Sequence, residues 1–210
     1  MKLTIIHTTM ATVSTMPKMI AEMYKDKFEI VNVLDDSMLN EIKAKGNLTK
    51  EVIQRFVQYC IIAEQNKSDA ILLACSSIGE AGTIARKVVN IPLFKIDEPM
   101  ANMASKGKNI LVLGTVQSTL KPSCQLIESM ISPDQKVSMK LIPNVFDLYS
   151  TNKELHDQKI AEVVKENASE FDTVVLAQAS MAGAKNYIGD LGITVLTSLP
   201  LGLEQLQTLI

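Results

Sequence analysis

The chain has 210 residues, 47% of them apolar and 21% charged, with a formal net charge of −2. That is enough to bury a core without disulfides or metals, and it excludes a disordered chain. No basic block stands out, which disfavours nucleic acid and anionic membranes as partners and favours a small-molecule ligand.

No apolar run approaches the ~20 residues of a membrane span, and the start Met1–His7 is too short and too polar afterwards for a signal peptide. Cys60, Cys75 and Cys124 have neither disulfide-framework nor metal-type spacing. The expectation is a cytoplasmic protein with free thiols and no metal site.

In chain order, Leu3-Thr4-Ile5-Ile6 reads as a strand ending at His7-Thr8-Thr9. A loop and a helix to about Lys27 follow, with Ser14 and Pro17 suited to its first turn. Phe28 to Leu34 is a second strand that Asp35-Asp36-Ser37 ends, and a loop runs on to Gly46-Asn47. Thr49 is a candidate N-cap, and Val52, Ile53, Phe56, Val57 and Cys60 recur at helical spacing, so Cys60 faces a core. Ala70 to Ala74 is almost wholly apolar, as expected of a parallel strand covered on both faces. A helix from near Ile78, a strand Ile91 to Ile96 and a short helix from Glu98 to Lys106 complete this half.

From Asn109 the pattern starts again. Ile110 to Leu113 is a strand, and Leu120, Cys124 and Ile127 mark the buried face of a helix. A strand Val137 to Ile142, a loop Pro143 to Thr151, a helix Glu154 to Ala168, a strand Thr173 to Ala177 and a helix Met181 to Gly189 follow. The last strand is Thr194 to Leu196, before Pro200 and a terminal helix. Thr4–Thr8 matches Leu111–Thr115 at an offset of 107, and Leu72–Cys75 matches Val175–Gln178 at an offset of 103. Such a repeat predicts an α/β protein of two pseudosymmetric, doubly wound lobes with parallel sheets. The first lobe spans 1–97, with a C-terminal helix 200–210 packing on it, and the second spans 98–199. Ligands of such sheets bind beyond the carboxyl ends of the strands, so the active-site cleft is expected between the lobes.

Polar groups stand at four strand ends. Cys75 follows a buried strand and precedes a helix, where N–H groups and the helix dipole favour a thiolate able to act as base or nucleophile; a free cysteine is equally well used as a small buried hydrophobe. Ser76, Ser77 and Ser180, the last beside Ala179, offer hydroxyl and N–H donors for a carboxylate, with Thr8, Thr9 and Thr115 as further members; each serine also suits plain helix capping. His7 sits where it could exchange a proton, though hydrogen-bonded structure is the commoner use of such a histidine. His156, between Glu154 and Asp157, reads as solvated. Arg55 and Arg86 fall within helices.

The cysteine after the buried strand and the stretch Leu176-Ala177-Gln178-Ala179-Ser180-Met181-Ala182-Gly183 in the second half resemble the aspartate/glutamate racemase superfamily. The resemblance covers the whole chain in layout, with the two strand-end segments as its specific motifs. It implies a cofactor-independent enzyme acting on a small carboxylate such as aspartate or glutamate. In such racemases one cysteine from each lobe flanks the substrate's α-carbon, which gives Cys75 a proton-transfer role and makes Thr8, Thr9, Ser76, Ser77, Thr115, Ala179 and Ser180 substrate-binding candidates. It also implies a homodimer. The departure is Gln178 at the second cysteine's place, since an amide has no titratable proton. Three readings follow: racemisation with His7 as the second base, one-sided chemistry by Cys75 such as a decarboxylase or lyase performs, or a small-ligand binding protein without turnover. Substrate side-chain recognition is expected from the loops Asp35 to Asn47 and Pro143 to Thr151.

Overall fold

The structure, a computed structural model, describes residues 1–210. The chain divides into two compact units, Met1–Ile96 with Leu203–Ile210, and Asp97–Gly202.

Unit 1 carries β1 (Lys2–His7), α1 (Met10–Tyr24), β2 (Glu29–Leu34), α2 (Asp36–Lys45), α3 (Lys50–Gln65), β3 (Ala70–Leu73), α4 (Gly79–Ala85) and β4 (Leu93–Lys95). Its sheet is wholly parallel in the order β2-β1-β3-β4. Unit 2 carries α5 (Glu98–Ala104), β5 (Asn109–Gly114), α6 (Gln117–Glu128), β6 (Lys136–Leu141), α7 (Leu148–Thr151), α8 (Lys153–Asn167), β7 (Thr173–Leu176), α9 (Lys185–Ile188) and β8 (Thr194–Thr197). The order β6-β5-β7-β8, again all parallel, is the same. α10 (Ser198–Glu204) leads the chain back to unit 1. There the Tyr24 hydroxyl donates to the carbonyls of Leu203 at 2.9 Å and Glu204 at 3.1 Å, Gln205 Nε2 donates to the Lys95 carbonyl at 3.0 Å, and Leu203 and Leu206 are fully buried.

The apolar strands are explained by coverage on both faces. In unit 2, Leu111, Leu113, Val174 and Leu176 enter a core with Ile160, Val164 and Met181, while their neighbours Ile110, Val112 and Val175 enter another with Met100, Leu120 and Cys124. Side chains of a strand alternate between faces, so a strand with helices on both must be apolar throughout. The repeat extends to a shared bridge. The Lys2 N–H donates to Asp69 Oδ2 at 2.6 Å, and the Asn109 N–H donates to Asp172 Oδ2 at 2.8 Å, so the carboxylate before the third strand ties down the start of the first in both units.

Three elements differ from the sequence reading. The first helix begins at Met10, so Ser14 and Pro17 lie inside α1 rather than in its first turn; Met16, Ile20 and Tyr24, four residues apart, keep it packed across the hydrogen bond the proline cannot donate. Asp35 to Asn47 is not a loop, because α2 occupies it, burying Met38 and Ile42 and ending at Gly46 with φ +75°. α7 stands within Pro143 to Thr151. No helix is long and apolar enough to cross a membrane.

Candidate active site

Strand register builds the site in each unit. Ile6 pairs with Leu73 in the β1/β3 ladder, so Thr8 and Cys75, each two residues further on, emerge side by side at the carboxyl end of the sheet. Leu113 pairs with Leu176 in the β5/β7 ladder, and the same step brings Thr115 beside Gln178. A threonine thus flanks the cysteine in one unit and the glutamine in the other.

Cys75 is half-buried and precedes a 3₁₀ turn, Ser76–Ile78, that leads into α4. Burial pushes its thiol above the ordinary value; hydrogen bonds from the Thr8 hydroxyl, the Ser77 hydroxyl and the N–H groups of Ser77 and Ile78 pull it partway back. The expectation of a thiolate favoured by a helix start is therefore corrected. The helix behind the turn has only seven residues, and desolvation outweighs the donors, so the thiol is the resting form at neutral pH. The four donors still favour the thiolate over the thiol once the proton leaves. Cys60 and Cys124 are buried in the cores, where desolvation pushes their thiols up to about 12 and about 11.

Thr8 and Ser77 are almost fully buried and turned to the sulfur, and Thr9 stands half-buried at the start of α1. Ser76 is buried in the turn itself. His7 is fully buried, with Nδ1 at 2.8 Å from the Thr12 hydroxyl and Nε2 at 3.0 Å from the Asn32 side-chain carbonyl. Burial lowers its pKa, with the Asn32 bond opposing, so the ring is neutral and both nitrogens are engaged. In this arrangement it ties β1 to β2 and α1.

In unit 2, Gln178 Oε1 accepts from the Thr115 N–H at 2.5 Å and from the Thr115 hydroxyl at 3.0 Å. Ala179 and Ser180 begin a 3₁₀ segment, Ala179–Ala184, and are half-buried. A cluster that the sequence reading missed lies against the far end of that segment. His156 is not solvated but fully buried, with Nδ1 at 2.8 Å from Asp157 Oδ1 and Nε2 without a partner. Asp157 Oδ2 accepts from Lys153 Nζ at 2.5 Å, and the Tyr149 ring meets His156 edge-on at 5.3 Å. Gly183 rests on this cluster so closely that a β-carbon there would lie 2.1 Å from Asp157 Oδ2. The signal was the apolar stripe of α8, since His156, Ile160 and Val164 recur four residues apart.

A sequence model of the Asp/Glu/hydantoin racemase family matches residues 4–206. The chain belongs to that family. Membership makes it an enzyme of the racemase and isomerase class. Among solved structures, a glutamate racemase from Aquifex pyrophilus aligns with a TM-score of 0.67 and 23% identity, covering 100% of this chain and 84% of that one. An aspartate racemase homologue from Pyrococcus horikoshii OT3 aligns with a TM-score of 0.75 and 16% identity over 99% and 98% of the two chains. An allantoin racemase from Klebsiella pneumoniae gives a TM-score of 0.72 and 14% identity over 99% and 86%. At these identities the structural likeness speaks for the two-lobed α/β fold. No curated protein sequence matches the chain.

Proposed function

We propose that this family member transfers a proton at the α-carbon of a small carboxylate such as aspartate or glutamate, without a cofactor, and that Cys75 is the proton-transfer residue. The observation that carries the reading is the convergence of Thr8, Ser77 and the Ser77 and Ile78 N–H groups on one sulfur at the carboxyl end of a buried parallel strand. In the thiolate form Cys75 takes the α-proton and becomes a thiol, while the C–H electron pair moves into the substrate carboxylate to give an enediolate. Return of a proton to the α-carbon restores the carboxylate. Donors near the carboxylate oxygens stabilise the charge that grows there, a role that suits Ser76 and the N–H groups of its turn. Three free thiols suit the reducing cytoplasm.

A second reading is favoured by the resting thiol of Cys75 and by Gln178, which cannot titrate. A lyase that uses Cys75 only to donate a proton, as in decarboxylation of a substituted malonate, needs one acid and no opposing base. Both readings are tested in deuterated water. A racemase exchanges the α-hydrogen of aspartate, glutamate or a hydantoin for deuterium, and Cys75→Ala abolishes the exchange; absence of exchange across that panel refutes the racemase reading. Carbon dioxide release from substituted malonates, lost in the same variant, identifies the lyase.

A further inference from the structure

We infer that Gln178 is a fixed hydrogen-bond donor for a carboxylate oxygen of the ligand and takes no part in proton transfer. The inference rests on the carboxylate reading above and assigns a binding role within it. Its basis is the direction of the amide. A peptide N–H can only donate, so the atom facing the Thr115 N–H at 2.5 Å must be the carbonyl oxygen; turned over, the Gln178 amide would set hydrogen against hydrogen. The Thr115 hydroxyl, at 3.0 Å, fills the second acceptor position of the same oxygen. The carboxamide is thereby locked with its NH₂ group outward, and that nitrogen has no hydrogen-bond partner within the chain.

Its surroundings favour an anionic acceptor. Ser180, two residues further on, is half-buried and its hydroxyl likewise makes no bond within the chain. The segment from Gln178 to Ala184 contains no acidic residue to compete for these donors. It is held at one end by Thr115 and at the other by the contact of Gly183 with the Asp157 carboxylate, so the donors are positioned before a ligand arrives. Two amide N–H groups and one hydroxyl suit carboxylate oxygens, which accept and never donate when ionised.

Gln178→Glu tests this with the shape unchanged. A glutamate carboxylate still accepts both Thr115 bonds, but its outward atom becomes an acceptor bearing negative charge. Isothermal titration of the full chain with D- and L-aspartate and D- and L-glutamate at pH 7, with a thermal melt of each protein, supplies the readout. Wild type is expected to bind at least one of the four, and Gln178→Glu to bind it roughly ten- to a hundredfold more weakly at an unchanged melting temperature. Should Gln178→Glu melt early, Gln178→Met, of similar length but without donor or charge, decides, with at least about a tenfold loss expected. Wild-type affinity in a folded variant overturns the inference and leaves the role of Cys75 standing. If wild type binds none of the four, the aspartate and glutamate form of the carboxylate reading falls and this inference falls with it.

Discussion

Gly183→Ala is the most discriminating single change in unit 2. The new β-carbon would lie 2.1 Å from Asp157 Oδ2, 2.6 Å from Lys153 Nζ and 2.8 Å from Asp157 Cγ. Lys153 can swing away, since its side chain is 56% exposed, but the Asp157 side chain is only 5% exposed and is held by His156. The carboxylate must therefore shift and give up a charge-assisted bond, worth about 1.5–3 kcal/mol, on top of overpacking of about 1–3 kcal/mol. Against this stands a gain of about 0.5–1 kcal/mol from replacing glycine where the backbone permits alanine. The net is a loss of about 3 kcal/mol, which at an m-value of ~2 kcal/mol/M lowers the urea midpoint of unit 2 by about 1.5 M. Urea titration followed by far-ultraviolet circular dichroism measures it. In an Asp157→Ala background the same substitution should cost far less, because the group it strikes is gone. A Gly183→Ala protein as stable as wild type would refute the reasoning.

Two further outcomes follow from the thiols. The folded values of Cys60 and Cys124, about 12 and about 11, lie above the ~8.5 of an unfolded thiol. The folded state keeps protons that the unfolded state loses, so stability is intact below pH ~8.5 and falls above it by about 1.4 kcal/mol per pH unit for each thiol. Denaturation between pH 8 and 10 should show that slope, and a Cys60→Ala, Cys124→Ala double variant with the wild-type slope would contradict it. Cys75 should react slowly with iodoacetamide at pH 7, with a rate that climbs to a midpoint above that of a free thiol. Thr8→Val removes one of the bonds that favour the thiolate and should move the midpoint higher still; an unmoved profile would mean that the Thr8 hydroxyl does not serve the sulfur.

The inner strands β1, β3, β5 and β7 and their repeat were legible because strands covered on both faces are buried, and mostly apolar, along almost their whole length. The offset of 107 between Thr4 and Leu111 also relates β2 to β6, whose residues differ at every position but the last, Leu34 and Leu141. α2 was hidden because Asp35-Asp36-Ser37 reads as the end of a strand, and only two of its residues, Met38 and Ile42, are buried. His156 was misread from its charged neighbours, although its position on the α8 stripe placed it inside. The ionisation of Cys75 was misjudged for a different reason: a helix start can be read from sequence, but the desolvation opposing it depends on which residues close over the sulfur. Register, likewise a property of the folded sheet, puts Thr8 and Thr115 beside their partners, and no spacing along the chain announces that.

The return of Leu203–Ile210 to unit 1 bears on the order in which the protein is made. Unit 2 is one unbroken stretch and is fully synthesised once Gly202 has been added. Unit 1, although its strands come first, still lacks the segment that accepts the Tyr24 hydroxyl and buries Leu203 and Leu206. Domains fold as units while the chain emerges. The half that leaves the ribosome first is therefore completed only after the whole of unit 2 has been made.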